Sequence, residues 1–159
     1  MKLCTASMVL LLLSGAAWGQ TYTSAPGAAI DPPATVTDTI TVSGGPATIT
    51  DVNVCVNISH TYDADLDIRL VGPTGATDLS LGNGGSGDDY YLTLFDDQAA
   101  TPITAGAAPF TGAYQPEGSL ADHNGSGADG DWTIEITDTW TGTDSGALHY
   151  WSIAFNGSD

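Results

Sequence analysis

Basic side chains are almost absent from this chain. Its 159 residues include two lysines and arginines against 19 aspartates and glutamates, which gives a formal net charge of −17 at pH 7. A surface of this sign repels nucleic acid and anionic membranes, so we expect neither as a partner. The excess of carboxylates fits two roles, which are keeping an exported protein soluble and binding divalent cations. Composition alone does not choose between them.

Long apolar runs are also lacking, except at the start of the chain. Lys2 precedes an unbroken apolar run over residues 9–13, and a small-x-small sequence ends at Gly19, as in a secretory signal cleaved before Gln20. No later stretch approaches the roughly 20 apolar residues of a membrane-spanning helix. We therefore predict a signal peptide over residues 1–19, a secreted, extracellular protein and no membrane anchor.

Cysteine is scarce, and this excludes a small fold held together by several disulfides. Cys4 falls inside the predicted signal, so Cys55 is predicted to be the only cysteine of the exported chain, without an intrachain disulfide. It lies in a strand-like run, where we expect a buried, inert thiol, with intermolecular pairing or a reactive role as alternatives. The remaining length, about 140 residues, suits one domain with a sizeable core.

No part of the sequence has the period of a long helix. Short runs instead alternate apolar and polar residues, which is typical of strands with one buried face. The predicted strands are residues 37–42, 47–58, 65–71, 78–81 and 90–95, followed by an aromatic-rich closing hairpin formed by residues 130–138 and 146–155. Many short strands with Gly-rich turns predict an all-β fold, a jelly-roll β-sandwich of two antiparallel sheets.

The segment between the predicted signal and the first of these strands has a different composition. Residues 20–36 are rich in Ala, Pro, Thr and Gly and show no apolar period. Such composition favours a flexible lead-in. We therefore predict one β-sandwich domain over residues 37–159, preceded by a flexible segment over residues 20–36.

Five segments in a fixed order resemble one known family. Residues 56–75 read VNISHTYDADLDIRLVGPTG, and they are followed by FDDQA at 95–99, PFTGAYQP at 109–116, GDW at 130–132 and LHYWS at 148–152. This order is similar to that of the P domain, or P/Homo B domain, of subtilisin-like proprotein convertases. The resemblance implies a jelly-roll β-sandwich that accompanies a subtilisin-like catalytic domain, helps it fold, stabilises it and carries no catalytic residues.

The sequence shows no motif for catalysis. A Gly-x-Ser-x-Gly elbow is missing, and the three histidines lack metal-ligand spacing. His60 is expected to have a structural role, tying two loop backbones together. Sequence order alone leaves a Ser-His-Asp triad open, because triads assemble from distant segments. The predicted signal ends just before the resembling region, so we expect no protease domain in this chain and predict that it is not an enzyme. The family's serine-type endopeptidase activity belongs to the catalytic domain that a P domain accompanies.

Calcium is the one cofactor that the residues suggest. The ion takes six to eight oxygen ligands, which carboxylates and carbonyls of Gly/Asp loops supply. The alternating acids at 63–67 fit such a loop, although Arg69 and the missing glycine turn exclude an EF-hand, and two of these acids have Arg69 as an alternative partner. The resemblance adds that bacterial P domains often bind calcium. The predicted ligands are Asp63, Asp65, Asp96, Asp97 and Asp138, and the alternative is a solvated acidic face.

Two functional hypotheses follow. The first is a secreted, non-catalytic module that stabilises or docks onto a subtilisin-like serine protease or another extracellular partner. Its candidate docking residues, for which core packing is the alternative, are Tyr90, Tyr91, Phe110 and Tyr114. The second is a carbohydrate-binding or cell-surface adhesion jelly roll, in which Trp140 and Tyr150 stack on sugar rings.

Overall fold

The computed structural model describes residues 19–157, and these residues form ten strands. The strands are β1 (Gln20–Ser24), β2 (Ala28–Ile30), β3 (Thr35–Val42), β4 (Val52–His60), β5 (Leu66–Gly72), β6 (Gly75–Leu81), β7 (Tyr90–Asp96), β8 (Phe110–Tyr114), β9 (Gly130–Asp138) and β10 (Gly146–Phe155). Three short 3-10 helices cover Asp63–Asp65, Ile103–Ala105 and Leu120–His123. In this range no helix is long and apolar enough to cross a membrane. The predicted signal peptide lies almost entirely outside the described residues.

The strands form two sheets. The first has the order β1-β10-β4-β7-β8, with β2 also paired to β10, and the second has the order β3-β9-β5-β6. Neighbouring strands are antiparallel except for β7 and β8, which run parallel. The predicted jelly-roll β-sandwich, with an all-β architecture of two sheets, is therefore confirmed.

The core lies between the two sheets and follows the alternation in the sequence. On β9, Trp132, Ile134 and Ile136 are fully buried, and the residues between them are more exposed. Each such side chain contributes about 1.5–3 kcal/mol when it leaves water. Trp132 packs so closely over Gly72 that a Cβ at this glycine would collide with the indole ring. Its indole N–H donates to the carbonyl oxygen of Ala128 at 2.8 Å, so the buried donor is satisfied.

The predicted closing hairpin is wrong. Both of its strands exist, but β9 belongs to the four-stranded sheet, where it pairs with β3 and β5, and β10 belongs to the six-stranded sheet. The connection over residues 139–145 therefore crosses from one sheet to the other. Alternation identifies the buried face of a strand and leaves its hydrogen-bonded partner undetermined, because two facing sheets bury the same pattern equally well.

The predicted flexible lead-in is also wrong. Residues 20–36 contain β1, β2 and the start of β3, and β1 pairs with β10 over its whole length, from Gln20 opposite Phe155 to Ser24 opposite Trp151. The segment has too few apolar residues to predict a strand by itself. The backbone groups along the edge of β10 supply the missing partner, and Ile30 at the end of β2 is completely buried in the core.

Cys55 lies on β4 and is 3% exposed, so its predicted burial is confirmed. The predicted free thiol is not found, because Cys55 is disulfide-bonded. Cys4, the only other cysteine of the sequence, lies outside the described residues.

Ile30→Ala tests whether residues 20–36 are packed into the fold or form a flexible segment. We expect this change to lower the free energy of unfolding by about 2–5 kcal/mol, because it leaves a cavity in a closely packed core. Chemical denaturation measures the loss, with Thr23→Ala, an exposed position on β1, as the control that changes stability by less than about 0.5 kcal/mol. Equal stability of the two variants would mean that the segment is not part of the fold.

Candidate functional site

Four segments bring polar side chains together at one end of the sandwich. His60 ends β4, Asp63 begins the 3-10 helix before β5, Asp89 ends the loop between β6 and β7, and Asp138 ends β9. His60, Asp63 and Asp138 are all at most 2% exposed. Buried polar groups are costly unless they are hydrogen-bonded, so each contact in this cluster matters.

His60 connects three of these segments. Its Nε2 lies 3.2 Å from Oδ2 of Asp138, and its Nδ1 lies 2.9 Å from the carbonyl oxygen of Tyr62. Its backbone N–H donates to Oδ1 of Asp89 at 3.0 Å. Because Asp138 belongs to the other sheet, His60 joins the two sheets as well as two loops. The imidazole thus contacts one loop backbone and a carboxylate of the other sheet, rather than the two loop backbones that the sequence predicted.

Asp63 has one satisfied and one unsatisfied carboxylate oxygen. Its Oδ1 accepts the backbone N–H of Asp89 at 3.0 Å, and its Oδ2 is buried with no hydrogen-bond partner among the described residues. Asn53 and Tyr150 also have a buried oxygen without a partner, but these side chains are neutral. Burial, supported by the charges of Asp89 and Asp88, raises the pKa of Asp63 to about 7, although the hydrogen bond from Asp89 opposes this shift.

The Gly-rich loop over residues 82–89 lies directly on Asp63. The backbone N–H groups of Asp63 and Ala64 donate to the carbonyl oxygens of Gly87 and Gly85 at 2.9 and 3.1 Å. Gly84 has φ of +97°, and a Cβ at this position would lie 2.7 Å from Cβ of Asp63. A side chain therefore fits neither the backbone angle nor the space. The glycines of this loop therefore cover a buried carboxylate.

The five predicted calcium ligands fall into two separate groups. Asp63, Asp65 and Asp138 lie at the end of the sandwich just described. Asp96 pairs with Asn53 near the start of β4, so Asp96 and Asp97 lie at the opposite end of that strand from His60. Within residues 19–157, no three His, Cys, Asp or Glu side chains lie close enough together to hold a metal ion among them.

Protein donors already contact four of the five carboxylates, and Asp63 is contacted through Oδ1 alone. Asp97 accepts the backbone N–H groups of Leu120 and Ala121 at 3.1 and 2.8 Å and the hydroxyl of Ser119 at 3.1 Å. It therefore caps the 3-10 helix that begins at Leu120. Asp96 accepts the backbone N–H of Gln98 at 2.8 Å.

Asp138 is held in the same way, since it accepts the backbone N–H of Trp140 at 3.0 Å as well as contacting His60. Asp65 differs, because none of its neighbours in the described chain donates to its carboxylate. Burial, followed by the charges of Asp138 and Asp144, raises its pKa, while His60 lowers it. Asp63 and Asp65 are thus the predicted ligands with carboxylate oxygens left for a cation.

The aromatic residues predicted to dock onto a partner differ in their exposure. Tyr90 and Phe110 are fully buried and stacked at 4.7 Å between ring centroids, so they belong to the core. Tyr114 packs against that core and is partly buried. Tyr91 is 60% exposed and remains a docking candidate. Trp140, predicted to stack on a sugar ring, is 55% exposed. Exposure of Trp140 is compatible with stacking on a sugar ring.

A serine and an aspartate each contact a histidine, but not the same one. The hydroxyl of Ser59 lies 2.8 Å from Nε2 of His149, whereas Asp138 contacts His60. In a catalytic triad one imidazole receives both contacts. No described acid hydrogen-bonds to His149, so the described residues do not assemble a Ser-His-Asp triad.

The fold and these residues agree with one family. The model of the proprotein convertase P-domain matches residues 49–155, which include both ends of the sandwich. The chain therefore belongs to the proprotein convertase P-domain family. The predicted resemblance is confirmed.

Two individual proteins that resemble this chain are proteases. The chain is 31% identical over 129 residues to the transglutaminase-activating metalloprotease of Streptomyces mobaraensis, covering 81% of this chain and 13% of that protein. A crystal structure of the Aeromonas sobria serine protease in complex with the chaperone ORF2 matches with a TM-score of 0.52 and 24% identity, over 89% of this chain and 26% of that one. This second likeness supports the fold. The chain spans about an eighth of the curated relative and a quarter of the structural one.

Sequence reasoning missed Asp89, whose backbone N–H and carboxylate hold Asp63 and His60. The available signal was the pair Asp88–Asp89 at the end of a loop with four glycines, since Asp side chains often hydrogen-bond to backbone groups in turns. Nothing in the spacing indicates which turn, because the contact joins residues 26 positions apart.

Asp138→Ala tests whether this carboxylate serves the protein or a cation. We expect a loss of about 3 kcal/mol in the free energy of unfolding, because His60 and the N–H of Trp140 become buried without a partner. Denaturation in EDTA and in calcium should give the same loss, and Asp122→Ala, at an exposed acid, should have little effect. A loss confined to calcium-containing buffer would identify Asp138 as a metal ligand.

Proposed function

We propose that this chain is a secreted, non-catalytic P domain that stabilises or docks onto a subtilisin-like serine protease or another extracellular partner, and that it binds calcium. The observation that carries the proposal is the family match over residues 49–155. A metalloprotease relative supports an association with proteolysis. The separate placement of the Ser59–His149 and His60–Asp138 contacts supports a non-catalytic role.

The docking part is tested with the protein and a subtilisin-like serine protease of the same organism, expressed without a P domain of its own. We expect a complex with Kd of about 10 μM or tighter, which corresponds to roughly 7 kcal/mol of binding free energy. We also expect slower thermal inactivation of the protease, because a ligand that binds only the folded state stabilises it.

Biolayer interferometry measures the complex, and residual peptidase activity after heating measures the stabilisation. An unrelated β-sandwich of similar net charge is the control for non-specific effects. Absence of binding to every subtilisin-like protease of the organism, together with unchanged inactivation, would contradict the docking role.

The calcium part of the proposal centres on Asp63. Its Oδ2 is a buried carboxyl oxygen without a donor among the described residues, and Asp88 and Asp89 add negative charge beside it. A hard cation with oxygen ligands fits this combination. Asp63 would supply the buried ligand, with backbone carbonyls of the Gly-rich loop as further oxygen ligands. The bound ion would neutralise the carboxylate and fix the loop to the turn before β5.

Asp97 and Asp138 fit a cation poorly, because protein N–H and O–H groups already take their oxygens. The same argument applies in part to Asp96, which accepts from Gln98. We therefore narrow the predicted carboxylate ligands to Asp63, with Asp65 as a second acid at the same end of the sandwich.

Thermal unfolding across a calcium titration tests this assignment. At millimolar calcium, a site with Kd of roughly 0.1–1 mM adds about 1–2 kcal/mol, or about 5 °C in Tm. We expect magnesium at the same ionic strength to have a much smaller effect. Asp63→Asn should abolish the calcium response, whereas Asp97→Asn should lower the baseline Tm and keep the response. Equal responses to both ions, or a full response in Asp63→Asn, would contradict the assignment.

A further inference from the structure

A small cavity lies on the outer face of the four-stranded sheet, where β9, β5 and β6 run side by side. Its volume is about 160 Å³. The register places Asp67 of β5 between Thr137 of β9 and Leu81 of β6, and it places Arg69 opposite Glu135. These five side chains line the cavity. We refer to it as the β5–β6–β9 cavity.

The cavity carries negative charge that the described protein does not neutralise. The guanidinium of Arg69, which also lines the cavity, is paired with Asp78, because its Nε donates to Oδ1 of Asp78 at 2.6 Å. The carboxylates of Asp67 and Glu135 accept no hydrogen bond from any described residue. Burial, together with the charge of Asp78, raises the pKa of Asp67, although Arg69 opposes this shift. An occupant that brings donors and positive charge would satisfy both carboxylates.

The size and the apolar wall limit the kind of occupant. Pockets for small molecules usually enclose about 300–1,000 Å³, so this cavity is suited to a single side chain. Leu81 is 38% exposed and offers an apolar surface beside the two carboxylates. Lysine combines an ammonium group that has three donors with a four-carbon apolar stem. One ammonium group can donate to carboxylates on two different strands, whereas a guanidinium is better suited to two oxygens of one carboxylate.

We propose that the β5–β6–β9 cavity receives a lysine side chain of the protein to which this domain docks. The inference rests on the proposed docking function for the existence of that partner. The net charge of −17 favours a partner with a basic surface, because complementary potentials speed association and suppress wrong partners. The cavity then gives this general attraction one fixed contact point.

Nuclear magnetic resonance titration with a short peptide tests the cavity without the protease. The probe is Ac-Gly-Gly-Lys-Gly-Gly-NH2, and its counterpart with norleucine in place of lysine has the same stem without the charge. We expect saturable backbone shifts confined to β5, β6 and β9 with the lysine peptide and none with the norleucine peptide.

Two double variants separate the cavity from general surface charge. Asp67→Asn with Glu135→Gln should weaken lysine-peptide binding about tenfold, because the two charge-assisted hydrogen bonds are lost. Asp31→Asn with Asp122→Asn removes the same charge at exposed sites and should leave the affinity within about twofold, since distant exposed charges are screened. Asp67 and Glu135 lie on the outer face of the sheet, and thermal unfolding of the single variants checks that the fold is retained.

Three results would overturn the proposal: equal weakening in the two double variants, equal binding of the norleucine peptide, or shifts centred on Trp140 or Tyr91. If the peptide does not bind, the docking role is still tested separately by binding of the whole domain to the protease. A protease complex that forms with unchanged affinity in the Asp67→Asn and Glu135→Gln double variant would place the docking contact elsewhere on the domain.

Discussion

A chain of buried polar contacts holds the two sheets together at one end of the sandwich. Asp138 of the four-stranded sheet contacts His60 of the six-stranded sheet, and Asp89 accepts from His60 while donating to Asp63. Leaving one buried member of such a network without its partner costs about 1–3 kcal/mol, so the loss of one contact weakens this end of the sandwich. Among the described residues, Oδ2 of Asp63 is the carboxyl oxygen that is buried without a hydrogen-bond partner. The proposed calcium site follows from that gap.

The sequence predicted the fold to the extent that local alternation determines it. The buried faces of β5 and β9 were readable because one side of each strand faces the core, whereas β4 is buried on both sides over residues 52–56. Strand partners were not readable. The hairpin prediction failed because β9 and β10 pair in different sheets, and β1 was missed because its stability comes from the edge of β10. Pairing across about 130 residues depends on tertiary contacts that no local pattern contains.

The family and the residue types of the candidate site were also predictable, but the use of each carboxylate was not. Asp96 and Asp97 look like a cation site because two adjacent acids repel, yet in the structure Asp97 caps a 3-10 helix. Asp63 looks the same as its neighbours in the sequence, and only its burial beneath the loop at residues 82–89 distinguishes it. Whether a carboxylate is free for a ligand depends on which donors the fold brings to it.

The most direct measurement for this account is a pair of crystal structures, one from crystals grown with calcium and one from crystals grown with EDTA. The account predicts density for a cation about 2.3–2.6 Å from Oδ2 of Asp63 with calcium, and unchanged hydrogen bonds at Asp97 and Asp138 in both. A cation bound by Asp97 or Asp138 would contradict it. So would a calcium-grown structure in which the oxygen of Asp63 has no cation beside it.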